Sequence, residues 1–170
     1  MSAKKIDPST EIPFAKDVNF ATLDDGLTKP IYSSMTHSGD ELRISADQII
    51  STEKKDTALI KSAILRVFFG NGSKLFLSSD TAMLNKGKNN LVFSKNVILK
   101  TDDRMEITAP EIFSALDKTL IQAGGPVKGL FGISTIEAGQ LDIFREDKSS
   151  NLVISFTKGV KMVYDVRKSF

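Results

Sequence analysis

The sequence predicts an all-β protein made of stacked antiparallel strand pairs. Three observations point there. Apolar and polar residues alternate after Gly26, as in the run from Leu42 to Asp47. There Leu42, Ile44 and Ala46 face one way, and Arg43, Ser45 and Asp47 the other. Turn-forming residues separate the alternating runs, and Gly70-Asn71-Gly72 is the strongest hairpin signal. One pattern is also written three times: Ile-x-Ala at 44–46, 107–109 and 136–138, with a large apolar residue (Ile49, Ile112, Leu141) three positions past each Ala. Taken as equivalent marks, Ile44, Leu77, Ile107 and Ile136 stand 33, 30 and 29 residues apart, the near-constant period that stacked repeats leave in a sequence. Asn90-Leu91-Val92, Thr119-Leu120-Ile121 and Asn151-Leu152-Val153 keep the same phase. A bent pair of strands cannot cover its own apolar face; stacking the pairs does.

In chain order, Met1 to Asp17 carries Pro8 and Pro13, shows no periodicity and reads as an extended segment, so the domain is expected over 18–168. Ile31 to Thr36 and Leu42 to Ala46 form the first pair around His37-Ser38-Gly39-Asp40. Ala63 to Phe69 and Leu75 to Ser79 flank the Gly70-Asn71-Gly72 turn. Val97 to Thr101 and Met105 to Ala109 flank Asp102-Asp103. Val127 to Leu130 and Thr135 to Ala138 follow, and Leu152 to Phe156 and Val160 to Tyr164 close the chain around Lys158-Gly159. Pro30, Pro110 and Pro126 are expected at strand ends, and Gly124-Gly125 at a turn. Two stretches also fit a helix: Ala109 to Ala123, with Ile112, Leu116 and Leu120 at helical spacing behind Pro110, and Thr57 to Arg66. The β reading is preferred because the matching segments 47–57 and 138–151 are rich in β-branched and turn residues.

A chain of 170 residues fits one domain with a real core. Its 23 basic and 21 acidic residues leave a net charge of +2, too little for the basic face that nucleic acid requires. The absence of cysteine excludes disulfides, thiolate metal sites and cysteine nucleophiles. The one histidine, His37, lies in a predicted turn beside Ser38 and near Asp40. Catalytic triads draw their members from separate elements, so His37 reads as a solvated turn residue. The acidic pairs Asp24-Asp25, Asp102-Asp103 and Glu146-Asp147 all fall at turns, where Asp is favoured for its own local hydrogen bonding. Gly124 to Gly129 has neither a following helix start nor nucleotide-loop spacing. The reading is therefore of a non-enzyme with no cofactor and no metal site. No apolar run approaches the roughly 20 residues that span a bilayer, and the first residues lack the apolar core of a signal peptide. What remains is surface shape: a two-layer stack whose inner apolar faces are either core or a groove, with edge strands free to dock other sheets.

Four runs, DGLTKPIYSSMTHSGDELRISADQI, ITAPEIF, GGPVKGLFGISTIEAGQLDIF and NLVISFTKGVKMVYD, resemble in order the periplasmic domain of the LptC family of lipopolysaccharide export proteins. The nearest likeness is to its alphaproteobacterial branch, in which a segment like Ile12-Pro13-Phe14-Ala15 precedes the first strand. The resemblance runs from about Ile12 to Asp165. It implies an open, twisted antiparallel β-jellyroll of the OstA/LptA type that holds the acyl chains of lipopolysaccharide inside. By position, the interior would be lined by Leu42, Ile44, Leu75, Leu77, Val97, Leu99, Met105, Ile107, Val127, Ile136 and Val153. The resemblance also implies docking of the inner-membrane lipopolysaccharide ABC transporter at the N-terminal edge (Val18, Phe20). LptA would dock at the C-terminal edge (Leu152, Ile154, Val160, Met162, Tyr164), and the same edges leave a homodimer open. The expected place is the periplasm, with an N-terminal membrane helix that this chain does not contain. The alternative within the same fold is an LptA-like soluble bridge, or an OstA-domain adaptor working by edge docking alone. A glycan-binding or glycan-degrading β-repeat protein would need a row of aromatics or carboxylates; two tyrosines and no tryptophan rank it last.

Overall fold

The structure, a computed structural model, describes residues 31–146 and 151–164. The N-terminal segment, Val18, Phe20, Asp24-Asp25 and Pro30 lie outside the described residues. The described residues form eleven strands: β1 Ile31–Met35, β2 Glu41–Ser45, β3 Gln48–Ser51, β4 Thr57–Phe68, β5 Lys74–Asn85, β6 Asn90–Thr101, β7 Met105–Ala115, β8 Leu120–Phe131, β9 Ser134–Arg145, β10 Leu152–Thr157 and β11 Lys161–Tyr164. They form one antiparallel sheet in the order β10-β9-β8-β7-β6-β5-β4-β2-β1, with β3 also on β4 and β11 also on β9. Both stretches that fit a helix by spacing are strand and turn. The alternation of buried and exposed positions along β4 and β7 outweighs the spacing of Ile112, Leu116 and Leu120.

The strands are longer than the sequence suggests, because each of the six from β4 to β9 joins two runs across an irregularity. In β4 this is Ser62 (φ 54°), and in β6 it is Lys95 and Asn96 (φ 68° and 56°). The register shifts across Ser79-Asp80 in β5, across Ala109-Pro110 in β7, and at Gly139 in β9. In β8 the cis Gly125-Pro126 bond holds the place. Pro110, Pro126 and Gly124-Gly125 therefore lie mid-strand, not at strand ends or turns. A bulge leaves a residue unpaired and bends its strand, so a proline's missing N–H costs the ladder nothing there. β2 and β3 are separated at the same level by Ala46-Asp47, and β10 and β11 by Lys158 to Val160.

These bulges fall in one row across the sheet, and the sheet folds along it into two layers. The first layer holds β1, β2, β11 and the halves of β4–β9 around Leu65, Leu77, Leu99, Ile107, Val127 and Ile136. The second holds β3, β10 and the other halves. One side of each layer is buried almost to zero, although no helix among the described residues covers it, so the layers cover each other. Two ladder rows show this. Ile44, Leu65, Leu77, Leu99, Ile107, Gly129 and Ile136 are successive partners across the first layer. Ile49, Ile60, Ala82, Phe93, Ile112, Ala123 and Leu141 are successive partners across the second. Ile44, Leu77, Ile107 and Ile136, nearly evenly spaced in sequence, thus stand in one line.

Backbones approach closely at several glycines of ordinary φ, Gly129 and Gly139 most of all. A Cβ on Gly129 would lie 2.0 Å from the carbonyl oxygen of Glu106, and one on Gly139 would lie 2.4 Å from that of Lys158, whose oxygen accepts the Gly139 N–H at 2.9 Å. No side chain fits at either position without moving a neighbouring strand.

Candidate functional site: apolar interior, seam and edge

The interior is apolar and closely packed. Ten of the eleven residues expected to line it (Leu42, Ile44, Leu75, Leu77, Val97, Leu99, Met105, Ile107, Val127 and Ile136) are at most 3% exposed. The eleventh, Val153, points the other way. It pairs with Phe144, which pairs with Leu120, and these form a half-buried apolar patch on the outer face of the second layer. Leu152, Ile154 and Phe156 are the residues of β10 that pack against the core. The phase of β10 was hard to read because Leu152, Val153 and Ile154 are all apolar. A cavity between the layers, lined by Leu42, Val67, Ala115 and Ile121, holds only about 10 Å³, about the room of one water probe. A wider concavity of about 530 Å³ runs along the outer side of the bulge row between Lys95, Thr108, Pro110, Pro126 and Lys128, and it is open to solvent.

The free ends of the two layers meet along a seam. The first-layer turns at 36–40 and 69–73 lie there against the second-layer turn at 116–119 and the end of β9. At its centre is Asp40, whose side chain is fully buried. Arg145 donates to both of its carboxylate oxygens, Nη2 to Oδ1 at 2.7 Å and Nε to Oδ2 at 2.9 Å. The Thr119 hydroxyl donates to Oδ2 at 2.5 Å, and the Gly70 N–H to Oδ1 at 3.0 Å. Asp40 is fixed from its own turn as well, its N–H donating to Thr36 Oγ1 at 3.1 Å. Nearby, Ser34 Oγ donates across the seam to the Leu116 carbonyl at 3.1 Å. Burial alone would push the Asp40 carboxyl up. The hydrogen bonds from Arg145, Thr119 and Gly70 outweigh it and hold the pKa below the ordinary 3.8. The Arg145 guanidinium is raised in turn by its bond to Asp40. Phe69, with its ring centroid 5.8 Å from Arg145 Cζ, closes one side of the pair.

Sequence reasoning missed this group. In the sequence Asp40 is only the last residue of the His37-Ser38-Gly39-Asp40 turn, and its partners lie 79 and 105 residues away. His37, by contrast, is exposed in its turn as expected. Among the described residues no group of three His, Cys, Asp or Glu is placed to hold a metal ion.

At the other end of the molecule the inward face of the first layer runs out into solvent. Met162 continues the row from Ile136, and Tyr164 stands opposite Ser134; they are 54% and 57% exposed. Val160, Val163, Leu130 and Phe131 are exposed around them. Of the expected C-terminal docking residues, Val160, Met162 and Tyr164 form this apolar end, while Leu152 and Ile154 are half-buried in β10.

An all-β sheet folded on itself around an apolar interior, with an apolar open end, is the architecture the sequence resemblance implied. The family model described as lipopolysaccharide-assembly, LptC-related, matches residues 27–165. The chain belongs to the LptC family. Membership makes it part of the lipopolysaccharide export machinery, on the periplasmic side, in a family that works as a component of a transport bridge. No curated protein matches the chain significantly. No helix among the described residues is long and apolar enough to cross a membrane.

Proposed function

We propose that this domain takes the acyl chains of lipopolysaccharide between its two layers and passes them toward LptA through its C-terminal end. It receives them from the inner-membrane ABC transporter at its N-terminal edge. One observation carries the reading: the buried row of the first layer continues without a polar break from Ile136 to Met162, which is 54% exposed. A core that ends in an exposed apolar strand can be continued by the sheet of a second β-jellyroll. An acyl chain would then move from one interior to the next without meeting water, which costs about 0.8 kcal/mol per methylene. The chemistry needed is burial alone, with ATP hydrolysis supplied by the transporter.

Photo-crosslinking tests this directly. A probe at Ile107 or Ile136 should give lipopolysaccharide adducts in cells, and one at Arg43 or Thr108, on the outer face, should give none. Equal adducts on both faces, or none inside, would refute the carrier role. The close packing of the interior favours a second reading, an adaptor that works by edge docking alone. That reading predicts LptA adducts at Met162 with no lipid adduct at Ile107.

A further inference from the structure

If acyl chains are to lie between these closely packed layers, whose cavity beside Leu42 and Ile121 holds about 10 Å³, the layers have to part, and chain connectivity fixes where they can. Along the bulge row β4 to β9 each cross from one layer to the other, so the layers are covalently joined there. On the opposite side they meet tip to tip, and among the described residues no chain segment crosses the contact. That seam places Leu42 and Val67 of the first layer against Ala115 and Ile121 of the second, with the exposed Lys118 at its rim. It is closed by Asp40, which Thr119 and Arg145 hold from the far side.

We propose that this seam is a lateral portal admitting an acyl chain of an anionic lipid between the layers, with the Asp40–Arg145 pair as the latch that keeps it shut. The inference rests on the lipid-carrying reading above. Apolar residues would seal the same gap at least as firmly, since a buried ion pair repays its desolvation only when its geometry is complete. What the ion pair adds is a contact that can be undone. Its attraction is strong while the seam is dry and falls severalfold once water enters. A phosphate on the arriving lipid can take the guanidinium fork in place of the carboxylate, with Lys118 as a second cation at the rim. Opening is thereby coupled to arrival of the headgroup, and the bulge row serves as the hinge.

The test uses the absence of native cysteine. Asp40 and Thr119, whose side chains already touch, are replaced together (Asp40→Cys, Thr119→Cys) in a domain carrying a photo-probe at Ile107. Bacterial lipopolysaccharide is then offered to the oxidised and the reduced forms of the same protein. The oxidised form should give no adduct, and reductant should restore it. Equal adduct in both forms would show that lipid enters through the ends; that would overturn the portal and leave the carrier reading standing. No adduct even in the protein with an intact latch would refute the carrier reading and the portal with it. Arg145→Lys gives an independent measure that does not depend on forming the disulfide. It keeps the charge and loses the two-pronged contact, so loading should rise roughly threefold to tenfold. An unchanged loading rate in a variant with a cooperative melt would overturn the latch.

Discussion

Replacing Arg145 by Met should be among the more damaging single changes outside the apolar core. It removes two charge-assisted hydrogen bonds, at 2.7 and 2.9 Å, and the one cation among the described residues that is bonded to Asp40, whose side chain has no exposed surface. Thr119 and the Gly70 N–H remain, but neither neutralises the charge. Stranding one member of a buried pair costs about 3–5 kcal/mol, which for a chain of this size lowers the melting temperature by about 10–15 °C. The triple variant Asp40→Leu, Thr119→Val, Arg145→Met leaves no buried charge and should fall within about 1 kcal/mol of the parent. Urea titration at neutral pH measures both. The acid limb gives a second check. The folded pKa of Asp40 lies below 3.8, so its contribution is complete above that value and fades as pH falls through the folded pKa. The triple variant should lack that loss. A cost below about 1 kcal/mol for Arg145→Met would mean that the pair behaves as a surface ion pair, and the argument for a dry seam would fail with it.

Gly129→Ala should destabilise by about 1–3 kcal/mol, because its Cβ would meet the Glu106 carbonyl oxygen at 2.0 Å; Gly124→Ala, with nothing within 4 Å, should be neutral or slightly stabilising, as thermal melts of the two would show. Ile107→Ala, at 0% exposure in the first-layer row, should cost about 2–5 kcal/mol in a urea titration. Met162→Asp, at 54% exposure, should leave stability within about 0.5 kcal/mol of the parent and abolish capture of LptA in a pull-down; retained capture would remove the C-terminal edge from the docking role.

The repeat in the sequence encodes the fold of the sheet more than a stack of hairpins. Each Ile-x-Ala ends a first-layer row: Ile44, Ile107 and Ile136 are buried there, and the residue after each Ala (Asp47, Pro110, Gly139) is where the strand crosses between layers. The apolar residue three positions past the Ala (Ile49, Ile112, Leu141) opens the row of the second layer. The pattern was legible because a bulge resets the two-residue alternation by one, and a periodic reset survives as a motif. Its meaning was not, since Pro110 and Gly125-Pro126 look like strand ends when pairing partners are unknown. The interior was legible for the same reason. Leu42, Met105 and Ile107 alternate with polar neighbours, whereas Val153 sits in a run of three apolar residues with no alternation to fix its face.

The seam could not be read at all, and the reason is physical. Alternation reports which side of a strand faces the core; it carries nothing about which strand ends meet once the sheet has folded and twisted. Asp40 sits in a turn rich in residues that favour turns in water, and Arg145 ends a strand next to a second charge, so each looks solvated where it stands. Only the crossing of the layers, set by the six bulges together, brings the first-layer turn at Asp40 onto the second-layer end at Arg145. A long-range contact that depends on the sum of six small bends is invisible locally and lies in the one place where the layers are not held by the chain itself. Any motion that parts the layers at the seam must therefore break this contact while bending at the bulges, and the contact is the one a competing anion can replace.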